Sequence, residues 1–354
     1  GNPGGIAYFD VSPDGSQIVT ASAHGPVRFW DIGLVHESLI FDAGPSHLAI
    51  ATYSPDGQYL ATSGGDDGAV HVWDASDGSE LHNLEGHDAS VGDIVFSSDG
   101  SMLATASDDG TARLWDAQTG EALHVFSGHD HWVNKLAFNP EDTLLATAGQ
   151  DKKVVIWDVA SGEVLHTFEP FADGVWSIDF SPDGSRLATG TGNIDAHVRI
   201  WDVESGQELP TTLKGHEWQV NDVVYSPDGS AVLTTSNDGS ARIFDAGSGQ
   251  ELVVMDAPSS VLSGDFSPHG QLVVTGEEGG NIKLWDPAAG ARLITLLDNA
   301  AGPITHVEFS PDGRRVLASI GGSSNGIVLE FVLPLQELSE IARSRITRSL
   351  TDDE

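Results

Sequence analysis

Histidine, serine and aspartate recur together along this chain. His87, Ser107 and Asp109 form one set, with Trp115 behind it. His216, Ser236 and Asp238 form a second, backed by Phe244. His129 and Asp151, backed by Trp157, form a third in which Gly149 stands where the serine would be. Such residues could make a nucleophilic relay, with the histidine taking a hydroxyl proton and the carboxylate orienting the imidazole. His129-Asp130-His131 is the one local cluster that could grip a metal. Neither chemistry finds its usual setting. There is no Gly-x-x-x-x-Gly-Lys-Ser phosphate loop, no His-Glu-x-x-His, no Asp-x-Asp-x-Asp-Gly calcium loop, and no Gly-x-Ser-x-Gly elbow leading from a strand into a helix. No catalytic residue, metal ligand or cofactor is therefore expected.

The elements that would position these residues repeat. Trp-Asp stands at Trp30, Trp73, Trp115, Trp157, Trp201 and Trp285, and Phe244-Asp245 fills the one gap; the spacing is 41 to 44 residues. Ser-Pro-Asp-Gly or a close relative begins at Ser12, Ser54, Ser97, Asn139, Ser181, Ser226, Ser267 and Ser310. A period near this length dictates the architecture before any local reading. Within residues 87–126, four short runs rich in Val, Leu, Phe and Thr are each closed by Asp-Gly or Thr-Gly. Alternation of period two makes them half-buried strands, and Asp-Gly supplies the positive φ of tight turns. Four consecutive antiparallel strands form a small sheet that cannot bury both faces alone. A ring of such sheets lets each cover the next. Eight units carry the first three strands, so eight blades are expected, with seven as the alternative. A fourth strand is written only seven times, at 36–42, 79–84, 121–126, 163–168, 207–213, 250–255 and 291–297. Either 332–335 completes the eighth blade or its missing strand lies upstream.

Gly-His, then Ser-Pro-Asp-Gly, then Leu-Ala-Thr-x-Ser-x-Asp-Gly, then Trp-Asp closely resembles the pattern of WD-repeat β-propellers, over nearly all of residues 6–332. The resemblance implies an all-β propeller of four-stranded antiparallel blades. It also gives the histidine sets a different role. In that family a His, a Ser or Thr, an Asp and the Trp form a buried hydrogen-bonded clamp. The resemblance places His87, Ser107, Asp109 and Trp115 in one clamp; His129, Asp151 and Trp157 in a second, weakened by Gly149; and His216, Ser236 and Asp238 in a third, weakened by Phe244. The units ending near Trp73, Trp201 and Trp285 lack the Gly-His.

Composition narrows the function. There is no cysteine, and no apolar run approaches the ~20 residues of a membrane helix. The N-terminal stretch has no signal-peptide character. A cytoplasmic address and no membrane contact are expected. The 53 acidic residues against 16 basic ones leave a charge of −37. Such a surface repels phosphates, so nucleic acid is not expected as a direct partner. A basic partner, solubility by self-repulsion and a saline habitat all fit the acidity.

What remains is a binding surface. In the family, partners meet the face that carries the Gly-His loops. The matching positions here are Asp88, Asp130 and Glu217 after the histidines, His131, Trp132 and Trp218 beside them, Asp108, Gln150 and Asn237 before the clamp aspartates, and Trp176 on a comparable rim. Trp132, Trp176 and Trp218 come from consecutive units, so a ring gathers them in one sector. Aromatic anchors among carboxylates suit a basic, partly apolar protein or peptide.

The chain is divided as a propeller over 1–333 and a helical tail over 334–354, where Pro334, Leu335, Leu338, Ile341 and Ala342 follow helical spacing. The tail resembles the ends of propellers that terminate multidomain bacterial signalling and regulatory proteins, implying fusion to upstream domains. The reading is a non-enzymatic interaction module. A purely structural assembly ring, or a propeller enzyme with chemistry in its central channel, are the other classes.

Overall fold

The computed structural model describes residues 6–333, apart from 12–16, 23–24, 32–35, 42–47, 57, 65–67, 75–76, 170, 301, 310–312, 314 and 321–326. The helix expected over 334–354 lies outside the described residues. Among those residues the secondary structure is strand and turn throughout. The strands form eight antiparallel sheets in sequence order, seven of four strands and one of three, the last built from Ile304–Phe309, Arg315–Ile320 and Ile327–Val332. First strands of successive sheets lie side by side, and Ile6–Val11 also meets Arg315–Ile320, so the ring closes. The observed fourth strands, from His36–Phe41 to Ala291–Leu297, fall where the repeat put them.

Blade three illustrates why the sequence folds this way. Its strands are Val91–Phe96, Met102–Ser107, Thr111–Asp116 and Ala122–Ser127. The Ser-Ser-Asp-Gly turn is locked by its own side chains: Ser97 Oγ donates to Asp99 (2.8 Å), while the amides of Ser101 and Met102 bond Asp99 and Ser97. The Asp of Trp-Asp has an equally local task. Asp116 accepts from the amides of Gln118 (3.0 Å) and Thr119 (2.7 Å) and so fixes the outer hairpin. Blade four replaces the turn glycine with Asp142 at φ 56°. Its carboxylate takes the Ser98 amide and hydroxyl of the preceding blade, which offsets the left-handed backbone.

The core lies between blades. The fourth strands of blades two, three, four and six each bury one large apolar side chain against the tryptophan of the next blade. Leu84 clusters with Trp115, and Met255 with Trp285. Phe126 meets Trp157 at 5.0 Å between centroids, and Phe168 stacks on Trp201 at 4.3 Å. Burying such a side chain contributes roughly 1.5–3 kcal/mol. Polar staples run beside these contacts. On the outer rim His82, His124 and His166 donate through Nε2 to the carbonyls of Gln118, Ala160 and Glu204 in the following blade, and Thr211 does the same to Gly247. The repeat-related histidines are thus joints between blades.

The innermost strands need partners as well, because one edge of each lines the central channel. Asp93 accepts from the amide of Leu136 (2.8 Å), Asp179 from that of Tyr225 (2.9 Å) and Asp265 from that of Phe309 (2.9 Å), each one blade on. Asn134 and Asn221 donate to the carbonyls of Val175 and Val261. Lys135 pairs with Asp93 at 3.1 Å. Asp179 stands out in this ring. Burial, with the charges of Asp222 and Asp265 and against the Tyr225 amide, pushes its carboxyl up to about 7. A carboxyl raised in the folded state holds its proton more tightly there than in the unfolded chain. Its contribution to stability is therefore full near pH 4 and is lost as pH rises through about 7. Asp179→Asn keeps an acceptor for Tyr225 and removes the charge. It is expected to match the wild type at pH 4 and to exceed it at pH 8 by about 1–2 kcal/mol, since Asp179 is not completely buried and its charge is partly screened. Melting curves across that range check this; a gap that does not change with pH would refute it.

Candidate functional site

The first strand of each blade begins, and the second ends, on the same face of the ring, so the Gly-His loop and the second turn meet there. In blade three His87 Nδ1 donates to Asp109 (2.9 Å), and His87 Nε2 lies 2.8 Å from Thr105 Oγ1. Trp115 Nε1 donates to that same Thr105 oxygen at 3.0 Å. Asp109 also accepts from the amides of Asp88 (3.0 Å) and Thr111 (2.7 Å). Burial pushes its carboxyl up, but the Thr111 hydroxyl, His87 and these amides outweigh it and hold Asp109 at about 2. Burial keeps the His87 imidazole below its ordinary value despite Asp109. The indole can only donate and the carboxylate can only accept. The chain therefore has one direction: Trp N–H to Thr, Thr O–H to the bare Nε2, Nδ1–H to Asp. Every proton is engaged, which suits a brace between two loops and leaves no hydroxyl free as a nucleophile.

This corrects the expected clamp. The hydroxyl between His and Trp is Thr105, not Ser107. Trp115 pairs with Leu103 across the sheet, and Thr105 is two residues farther along, within reach of the indole; Ser107 is at the strand's end. Ser107 instead donates to the Ala89 carbonyl (3.1 Å) and receives the Asp109 amide (3.0 Å). Ser236 acts likewise, donating to the Trp218 carbonyl. Gly149 consequently costs blade four nothing along the chain: His129 bonds Asp151 (2.9 Å) and Thr147 (2.8 Å), and Trp157 donates to Thr147 (3.0 Å). A Cβ at Gly149 would press on the Asp151 carboxylate and the His129 ring, so a side chain there needs both to shift. In blade six His216 bonds Asp238 and Thr234, with Phe244 beyond. Blades two, five and seven keep the tryptophan–threonine half: Trp73, Trp201 and Trp285 donate to Thr62, Thr189 and Thr275.

Of the expected partner-facing residues, Asp88, Asp108, Asp130, His131 and Glu217 are exposed, and Gln150 and Asn237 are half-buried. Trp132, Trp176 and Trp218 are 47%, 37% and 59% exposed, whereas Trp73, Trp115, Trp157, Trp201 and Trp285 of the Trp-Asp pairs are buried. The His129-Asp130-His131 cluster disperses: His129 enters the clamp, Asp130 pairs with Lys153 at 2.7 Å, and His131 accepts from the Trp132 amide. Among the described residues no group of three or more His, Cys, Asp or Glu is disposed to hold a metal.

The three exposed tryptophans lie along one continuous rim. The Gln150 amide donates to the Trp132 carbonyl, and the Gln150 side chain crosses to blade five, where a Cβ at Gly174 would come within 2.7 Å of it. The Gly192 amide donates to the Gly174 carbonyl, and Gly192 lies against both Asp173 and the Trp176 indole nitrogen. Asp173 accepts from the Ile194 amide (3.1 Å), and Asn193 reaches blade six by accepting from the Gln219 amide (3.0 Å), next to Trp218. Ile194, 74% exposed at the tip of this turn, belongs to the same rim and was not among the expected residues. The longer spacing between Trp157 and Trp201 is the one trace of it in the sequence.

Comparison with known proteins follows the repeat. The WD domain, G-beta repeat, matches six stretches: residues 43–74, 78–116, 120–158, 162–202, 207–245 and 249–286. Among curated proteins the chain is similar to a guanine nucleotide-binding protein subunit beta of Oryza sativa subsp. indica, 41% identical over 64 residues, 18% of this chain and 17% of that protein. It is also similar to the subunit of that name from Arabidopsis thaliana, 26% identical over 162 residues, 44% of this chain and 33% of that protein. The chain thus spans a third or less of the length of these relatives. The crystal structure of the computationally designed Ika8 protein superposes with a TM-score of 0.82 at 25% identity, covering 93% of this chain and 96% of that one.

Proposed function

The chain belongs to the WD-repeat β-propeller family, and from that footing we propose that it is a non-enzymatic protein-interaction module, a scaffold or sensor ring within a larger bacterial signalling or regulatory protein of the cytoplasm. The observation that carries this reading is the contrast on the clamp face. Buried His–Asp bonds pin the loops of blades three, four and six. The residues just after each pinned histidine, Asp88, Asp130 and Glu217, are turned out to solvent. Rigid loops that present exposed side chains lose little entropy when a partner docks. The relatives are named as subunits, that is, as parts of an assembly. The charge of −37 suits a basic partner and disfavours direct contact with nucleic acid.

A Trp132→Ala, Trp218→Ala double variant is expected to keep its melting temperature, because both rings are exposed, and to lose most of the partner protein captured from cells by the wild type. Leu123→Ser with Leu165→Ser, on the outer perimeter, is expected to retain it. Quantitative mass spectrometry of the three captures reads the difference. If the double variant captures the same proteins in the same amounts, the clamp face is not the partner face.

A further inference from the structure

Three indoles and an isoleucine rarely stand in water together on one edge without a use. Here their backbones are held while their side chains reach solvent, the Trp132 ring resting edge-on against His131. The Trp132 and Trp218 carbonyls are held by the Gln150 amide and the Ser236 hydroxyl. The Ile194 turn is tied back by Asp173 and across to blade six through Asn193. The charge around them is acidic at both ends. Asp108, exposed at the blade three edge, faces His131, and Glu217 precedes Trp218.

We propose that the rim of blades four to six docks a cationic protein segment carrying bulky apolar side chains, with Trp132, Trp176, Ile194 and Trp218 as its apolar anchors and Asp108 and Glu217 receiving its positive charges. The inference rests on the reading that the clamp face is the partner face, and adds the sector and the chemistry of the segment. Charge complementarity selects the occupant, since an acidic or neutral apolar segment gains nothing from a chain of this net charge. The anchors decide where on an acidic ring a basic segment settles, because diffuse attraction alone has no preferred blade.

Three synthetic peptides of equal length test it against the intact chain: one alternating Arg and Lys with Leu, one with Ser in place of each Leu, and one with Glu in place of each Arg and Lys. Tryptophan emission and calorimetry at two salt concentrations are the readouts. The cationic apolar peptide is expected to bind about tenfold or more tighter than the cationic serine peptide, and the acidic peptide not to bind. Trp132→Ala with Trp218→Ala, and separately Ile194→Ser, should each remove about tenfold of that affinity, while Asp108→Asn with Glu217→Gln should flatten its salt dependence. Equal affinity for the two cationic peptides overturns the proposal, as does affinity unchanged by the Trp and Ile substitutions. If the peptides show no preference while partner capture still depends on Trp132 and Trp218, this inference fails and the clamp-face reading stands. If capture is also unchanged, both fail.

Discussion

Lys283→Met is expected to destabilise the protein by about 3–5 kcal/mol, and adding Glu277→Gln should return most of that loss. Blade seven has no histidine clamp. Where blade three has Ser107, it has Glu277, completely buried, and Lys283, almost completely buried, pairs with it. Asn281 completes the arrangement by donating to Glu277 (2.7 Å) and accepting from the Asn299 amide (3.0 Å), so the pair also anchors the loop that leads to blade eight. Lys283 lies 5.8 Å from the Trp285 ring centre. Methionine would retain the apolar contact of the lysine stem and strand a carboxylate without water or counter-charge. Glutamine at 277 removes that charge and can still accept from Asn281. Urea unfolding of the wild type, both single variants and the double variant, followed by tryptophan emission, gives the coupling. A loss below about 1 kcal/mol for Lys283→Met, or a double variant no more stable than it, would show that the pair is not the brace of this blade.

That brace also shows where sequence reasoning stops. The ring was legible because its causes are local and repeated: Asp-Gly turns, period-two strands and a Trp-Asp pair whose aspartate does nothing more distant than cap its own hairpin. The histidine–aspartate bonds were legible for the same reason. Thr105 was not, because Leu-Ala-Thr in a buried second strand reads as a β-branched space filler. Its signal was nevertheless present, since Thr62, Thr105, Thr147, Thr189, Thr234 and Thr275 recur at one position, and a hydroxyl that is buried in six repeats must have a polar partner. Glu277 and Lys283 were missed for the opposite reason: they occur once, and a method that looks for repetition discounts what departs from it. Exposure was the hardest property to read. Nothing in the composition around Trp132 says that its ring points outward while that of Trp157 is buried, except that only the latter precedes an aspartate. The partner-facing set thus came from position within the repeat, and Ile194, on a turn longer than those of the blades beside it, had no such position to betray it.

Thr105→Val should cost about 2–4 kcal/mol, and Ser107→Ala, two residues along the same strand, no more than about 1 kcal/mol. Valine has the shape of threonine, so packing against neighbouring side chains is nearly unchanged and the difference is polar. It orphans two buried groups at once: the Trp115 N–H loses its acceptor, and the His87 Nε2 loses its donor. Each buried unsatisfied group costs about 1–3 kcal/mol. His87 has a partial escape, since its other nitrogen keeps Asp109, which is why the sum falls short of two full penalties. Ser107→Ala removes bonds to the Ala89 carbonyl and the Asp109 amide, both at the more open end of the strand, and blade four holds its clamp with no side chain at that position. The other blades supply internal controls. Thr147→Val should behave as Thr105→Val does. Thr234→Val should cost roughly half as much, because Phe244 has no N–H to orphan; so should Thr275→Val, where Trp285 donates but no histidine bonds the hydroxyl. Hydrogen exchange of the indole N–H gives a second readout that a general loss of packing would not reproduce: in Thr105→Val the Trp115 signal should lose protection while that of Trp157 keeps it. If the serine variant proves the more damaging, or if Thr105→Val and Thr234→Val cost the same, the directed chain through threonine is not what secures these loops.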